Sequence, residues 1–142
     1  MKVKQWIQQY PENILTVSPD DSLQHAAALL LNNRRDIYVM DETGKLLGHL
    51  SYKRISNLVL AEHRSTSTRR QIMERIACGP VKEMMDAPPL TANADEALED
   101  VIQLFLDHDI EDLPVLDTSN QLIGVINLTD LLRLELSKTK KA

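Results

Sequence analysis

The second half of this chain repeats the first. Displacing the sequence on itself by about 75 residues brings Val3-Lys4-Gln5-Trp6-Ile7 onto Val81-Lys82-Glu83-Met84-Met85, Thr16 onto Thr91 and Asp20 onto Asp95. The stripe Leu23, Ala26, Ala27, Leu30 falls on Leu98, Val101, Ile102, Phe105. Both stripes have the i, i+3, i+4, i+7 spacing of a helix with one buried face. Further on, the run from Asp36 to Asp41 falls on the run from Asp112 to Asp117, and Gly48 on Gly124. Self-similarity of this kind means one supersecondary unit used twice, each copy too small to bury its apolar face alone.

Each copy reads in the same order. A short extended run (Ile14 to Val17, or Pro89 to Thr91) precedes a helix (about Ser22 to Asn32, or Asp95 to Asp107). Two β-rich runs follow, Ile37 to Met40 with Leu46 to Ser51, and Leu113 to Leu116 with Leu122 to Asn127. The turn residues Asp41-Glu42-Thr43-Gly44 and Asp117-Thr118-Ser119-Asn120 separate them, as a hairpin requires. A second helix closes each copy, about Tyr52 to Glu62 and Leu128 to Ser137. The expected fold is α/β in the α+β sense, a tandem β-α-β-β-α repeat packed about a pseudo-twofold axis. The expected boundaries are residues 1–62 for the first repeat, 63–80 for a linker helix and 81–142 for the second repeat. The linker reading rests on Ser/Thr caps, the stripe Ile72, Met73, Ile76, Ala77 and a Gly79-Pro80 stop.

Composition narrows the function classes. With 142 residues, about 70% of the unfolded surface can be buried without staples. The formal net charge of −5 and an aromatic content of 4% argue against a nucleic-acid binder that runs on bulk charge or base stacking. Arg69, Arg70 and Arg75 form a local basic array, whose commoner use is the solvated face of a linker helix. The single cysteine, Cys78, cannot form an internal disulfide and fits a cytoplasmic setting. No apolar run approaches the roughly 18 residues that a membrane span needs.

No catalytic constellation can be written. Gly44, Gly48, Gly79 and Gly124 are scattered, so there is no phosphate-cradling glycine loop. His25, His49, His63 and His108 share no metal-ligand spacing. Asp20-Asp21 reads as first-turn charge before a helix. The chain is expected not to be an enzyme and to require no cofactor or metal.

The segments Asp112-Leu113-Pro114-Val115-Leu116-Asp117, Gln121-Leu122-Ile123-Gly124-Val125-Ile126 and Thr129-Asp130-Leu131-Leu132 resemble a CBS-domain pair, or Bateman module. The first half is similar through Tyr38-Val39-Met40-Asp41, Lys45 to Ser51 and Lys53-Arg54-Ile55. The resemblance implies clefts between the halves that take adenosine-bearing ligands: AMP, ADP, ATP or S-adenosylmethionine. It also implies homodimerisation and an effector protein that the sequence does not name.

In such pairs a Gly-x-x-[Ser/Thr]-x-x-Asp run supplies the ribose contact. A carboxylate only accepts hydrogen bonds, and it takes two neighbouring hydroxyls at once. Here the second repeat has Gly124, Asn127 and Asp130 in that run, and the first has Gly48, Ser51 and Arg54. A guanidinium accepts nothing, so one competent cleft, centred on Asp130, and one degenerate cleft are expected. By the same resemblance Thr91 lies beside the ribose, Asp112, Leu113 and Pro114 border the adenine, and Arg34, Arg35, Lys53 and Arg54 meet phosphates. The function implied is regulatory sensing of an adenosyl ligand. The alternative is a ligand-free adaptor that dimerises through apolar helix faces.

Overall fold

The computed structural model of the chain describes residues 1–31, 36–60, 79–87 and 90–140. Most of the linker stretch, residues 61–78, and Arg34 and Arg35 fall outside them. The described elements are α1 (Val3–Gln9), β1 (Leu15–Val17), α2 (Leu23–Leu30), β2 (Ile37–Met40), β3 (Leu46–Leu50) and α3 (Tyr52–Leu60), then a 3-10 turn (Val81–Glu83), β4 (Ala92–Asn93), α4 (Leu98–Asp107), β5 (Asp112–Leu116), β6 (Leu122–Asn127) and α5 (Leu128–Lys140). The fold is mixed α and β, with two three-stranded sheets ordered β1-β2-β3 and β4-β5-β6. In each, the outer strand runs parallel to the middle one and the hairpin is antiparallel. The parallel pair is bridged by a helix, α2 or α4, the connection such a pair requires.

The two hairpin loops are built alike. Asp41 Oδ1 accepts hydrogen bonds from the Thr43 hydroxyl at 2.6 Å, the Thr43 amide at 2.9 Å and the Lys45 amide at 3.0 Å. Asp117 Oδ1 accepts from the amides of Ser119 at 2.8 Å and Gln121 at 3.0 Å. Gly44 (φ 89°) and Asn120 (φ 62°) take the left-handed position, which glycine and asparagine tolerate. The Thr43 hydroxyl, the Lys45 amide and the Thr43 amide hold the Asp41 carboxyl below its ordinary value. Its pKa is thus lower folded than unfolded. The loop therefore contributes stability above the unfolded value of about 3.9, and that contribution is lost as pH falls through the folded one. A carbon-detected NMR titration should place the Asp41 midpoint below that of an aspartate in the unfolded chain; a midpoint at or above it would contradict this loop chemistry.

The compact units are not the sequence repeats. One unit is Leu15–Pro88; the other joins Met1–Ile14 to Pro89–Ala142. The expected cut at 1–62, 63–80 and 81–142 follows the repetition of the sequence, whereas the packing assigns each repeat's leading segment to the other repeat. Val3 and Trp6 are fully buried in the core formed with Leu98, Val101, Leu113 and Ile126. Val81 and Met84 lie in the core formed with Leu23, Ile37, Val39 and Ile55.

The backbone contacts match pair by pair. Val3 and Lys4 amides donate to the carbonyls of Glu96 and Ala94, and those of Val81 and Lys82 to Asp21 and Pro19. Lys4 pairs with Asp95 at 3.6 Å, and Lys82 with Asp20 at 3.0 Å. Asp21 accepts from the Ser18 amide at 2.8 Å. The Asp20-Asp21 pair is thus spent on holding a leader and a turn.

Two element boundaries differ from expectation. The second short strand is Ala92–Asn93, starting just after the expected Pro89 to Thr91, of which Pro89 lies outside the described residues. Leader residues Val3–Gln9 form a helix, and Val81–Glu83 a 3-10 turn. No helix among the described residues is long and apolar enough to cross a membrane.

Candidate functional site

The end of β6 and the first turn of α5 carry the expected ligand residues. Asn127 caps the helix: its Oδ1 accepts from the Thr129 amide at 2.9 Å. Its Nδ2 donates to Asp112 Oδ1 at 2.8 Å, and the Leu128 amide donates to the Glu111 carbonyl at 2.9 Å. The start of β5 is thereby tied to the start of α5. The Asn127 amide makes both bonds from separate atoms, accepting at Oδ1 and donating at Nδ2. The first repeat uses Ser51 at the same place, its Oγ accepting from the Arg54 amide at 3.0 Å.

Asp130 lies in the first turn of α5, where the helix dipole favours a carboxylate. It is only 6% exposed, and no other charged side chain among the described residues is buried. Arg133, one turn on, meets its Oδ1 at 3.3 Å from a side chain that is 73% exposed. Withdrawing a carboxylate from water is costly unless it is paired or hydrogen-bonded, and Arg133 supplies such a partner. The dipole reading alone leaves Asp130 at a solvated helix end. Its burial is a further property of this site.

Leu113 is fully buried and its side chain belongs to the core, so only its backbone is available to a ligand. Pro114 is buried as well, and Thr91 is half-buried just ahead of β4. The two repeats differ at this strand edge. β1 pairs with β2 from Leu15↔Ile37 onward, whereas β4 meets β5 only at Ala92↔Val115 and Asn93↔Leu116. Leu113, the counterpart of Ile37, therefore has a strand neighbour on the β6 side alone.

The structure thus brings together Asp112, Asn127 and the turn that carries Asp130, with Leu113 and Pro114 on the same strand as Asp112. Lys53 and Arg54 are exposed in the first turn of α3, in the other compact unit. Arg54 occupies the helix position that Asp130 occupies in α5. Lys53 precedes Leu60 by seven residues and so shares its side of the helix. Arg35 lies outside the described residues. Sequence reasoning missed the Asp112–Asn127 bond and the Arg133 partner. The i, i+3 spacing of Asp130 and Arg133 was the available signal. Among the described residues, no three His, Cys, Asp or Glu side chains are grouped to hold a metal ion.

Comparison with known proteins agrees with this architecture. The CBS domain profile matches residues 8–61 and 81–137. The chain is 32% identical over 118 residues to the CBS domain-containing protein YhcV of Bacillus subtilis, spanning 83% of this chain and 76% of that one. It spans only 22% and 18% of two longer curated relatives. Among solved structures, CBSX2 of Arabidopsis thaliana in complex with AMP superposes with a TM-score of 0.74 at 24% identity, covering 97% of this chain and 98% of that one. The CBS domain pair of MJ0100, in complex with 5'-methylthioadenosine and S-adenosyl-L-methionine, gives 0.69 at 22% identity, covering 97% and 98%. With two profile matches over two sheets of one topology, the chain belongs to the CBS domain family.

Proposed function

We propose that this chain is a non-catalytic, cytoplasmic regulatory module that binds an adenosyl ligand, AMP, ADP, ATP or S-adenosylmethionine, at Asp130. The observation that carries this reading is the burial of the Asp130 carboxylate in the first turn of α5. A carboxylate only accepts hydrogen bonds and can take a pair of vicinal hydroxyls at once, as a ribose presents them. Asn127 and Asp112 hold the turn, Thr91 lies beside the ribose, and the backbone at Leu113 and Pro114 borders the base. The shorter β4 supports this placement, because the matching edge in the first repeat is occupied by β1. Arg35, Lys53 and Arg54 are the residues proposed to meet the phosphates. Ligand would act by binding one arrangement of the halves, or of a homodimer, better than another, for only differential affinity shifts such an equilibrium.

Isothermal titration with AMP, ADP, ATP and S-adenosylmethionine tests the proposal. At least one is expected to bind, and Asp130→Ala is expected to weaken it about tenfold or more, since each hydrogen bond to a charged group contributes roughly 1.5–3 kcal/mol. Unchanged affinity in the variant would remove Asp130 from the site. Silence from all four ligands at millimolar concentration would leave the second reading, a ligand-free adaptor, which the Asp130–Arg133 pair favours because it gives the carboxylate a partner within the chain.

A further inference from the structure

The ion pair between Asp130 and Arg133 is not part of the scaffold that the two repeats share. At the matching positions of α3 stand Arg54 and Asn57, and α3 forms over the same turn without such a pair. The start of α5 also has other anchors, the Asn127 cap and the bond from Asn127 to Asp112. The contact itself is loose. Arg133 Nη1 meets Asp130 Oδ1 at 3.3 Å, whereas charge-assisted N–H···O bonds usually span about 2.7–2.9 Å. The Asp130 side chain is 9% exposed and that of Arg133 73%, so the pair lies where the buried carboxylate meets solvent.

A diol that takes the Asp130 oxygens takes Oδ1 from Arg133. The released guanidinium keeps its charge and presents several N–H donors in a planar fork, the geometry that matches a phosphate. The charged residues of this turn and of the strand start tied to it are Glu111, Asp112, Asp130 and Arg133. Arg133 is the one cation among them. On a ribose held at Asp130 by its vicinal hydroxyls, the 5' substituent hangs from the same ring, within the reach of a long side chain one helical turn away. An anion there gives Arg133 a new partner in place of Asp130. A cation there meets a like charge.

We propose that Arg133 is a specificity-determining residue of this site, which covers Asp130 in the free chain and passes to the 5'-phosphate of a bound adenine nucleotide. The ligand class is then AMP, ADP or ATP. S-adenosylmethionine is disfavoured, because its sulfonium cation stands at the 5' position and like charges brought together there are costly. One charge-assisted contact is exchanged for another, carboxylate for phosphate, so Arg133 has an anionic partner in both states. This inference rests on the adenosyl-ligand reading above and narrows its ligand class.

Adenosine and AMP share base and ribose and differ by the phosphate, so titrating both into the native chain, Arg133→Gln and Arg133→Lys isolates the contact. The native chain should bind AMP more tightly than adenosine and more tightly than S-adenosylmethionine. Arg133→Gln should lower the AMP-to-adenosine affinity ratio about tenfold, the loss of one hydrogen bond to a charged group. It should do so by weakening AMP, while adenosine binds as well or better because nothing competes for Asp130. Arg133→Lys should keep part of the preference. Where adenosine binds too weakly to titrate, salt decides: AMP affinity should fall with rising KCl, less steeply in Arg133→Gln. An equal loss for AMP and adenosine would make Arg133 a positioning residue for the carboxylate. An unchanged ratio, or equal salt slopes, would leave the phosphate to Lys53 and Arg54. Each of these overturns the inference with the adenosyl reading intact, as does a native chain that prefers S-adenosylmethionine. A native chain silent towards AMP, ADP, ATP and S-adenosylmethionine overturns both.

Discussion

Replacing Trp6 by alanine is expected to destabilise the unit formed by Met1–Ile14 and Pro89–Ala142 by about 3–5 kcal/mol, the usual loss for a large aromatic in a closed core. Trp6 is fully buried and stacks on Tyr10, with ring centroids 4.2 Å apart. Its helix also covers Gly124 through Ile7. The effect should surface far from the mutation in sequence. Hydrogen exchange should accelerate first in β5 and β6, and the urea midpoint of the second-repeat sheet should fall. Faster exchange confined to β2 and β3 would contradict the exchange of leaders, as would a loss under about 1 kcal/mol, a size more typical of a surface change.

The second large effect concerns a pair of equivalent glycines that should respond unequally to alanine. A Cβ on Gly48 would lie 2.6 Å from the Asp86 carbonyl oxygen and 2.7 Å from Met85 Sδ. The carbonyl cannot turn aside. It accepts from the His49 amide at 3.2 Å, while the Asp86 amide donates to the His49 carbonyl at 2.9 Å and His49 Nδ1 meets the Ala87 carbonyl at 3.2 Å. Gly48→Ala should therefore cost about 2–3 kcal/mol, the upper range for overpacking, or release the 79–87 segment from β3. At Gly124 the atoms nearest a Cβ belong to the Ile7 side chain, at 3.1 Å and beyond. A side chain moves by a few tenths of an ångström at small cost, so Gly124→Ala should cost under about 1 kcal/mol. Chemical denaturation of the two variants gives the comparison; equal losses would show that Asp86 is not held where the structure has it.

The hairpins were legible from Asp-x-x-Gly and Asp-x-x-Asn, because turn chemistry is local. Asn127 and Asp130 were singled out through the resemblance of the run from Gly124, but the capping of α5 by Asn127 was not foreseen. The burial of Asp130 was not legible, because exposure depends on what packs around a helix end and not on its own residues. Nor was the Asp112–Asn127 bond, which joins residues 15 apart through strand register. The two missing residues of edge strand at Leu113 and Pro114 follow from the late start of β4, which one-dimensional periodicity does not specify at such short length.

By itself, then, the sequence determined the repeat, the order and kind of nearly every element, and the identity of the residues that open α5. These are consequences of spacing along a single chain, where apolar period and turn chemistry act between near neighbours. Only the tertiary structure decided which sheet each leader covers. The matched residues Val3 and Val81, Trp6 and Met84, Ile7 and Met85 are apolar in either arrangement, and hydrophobic burial has no direction of its own. The choice of core is made by backbone hydrogen bonds to the turn ahead of α2 or α4 and by the space left above Gly48 or Gly124, and those exist only once the sheets have formed.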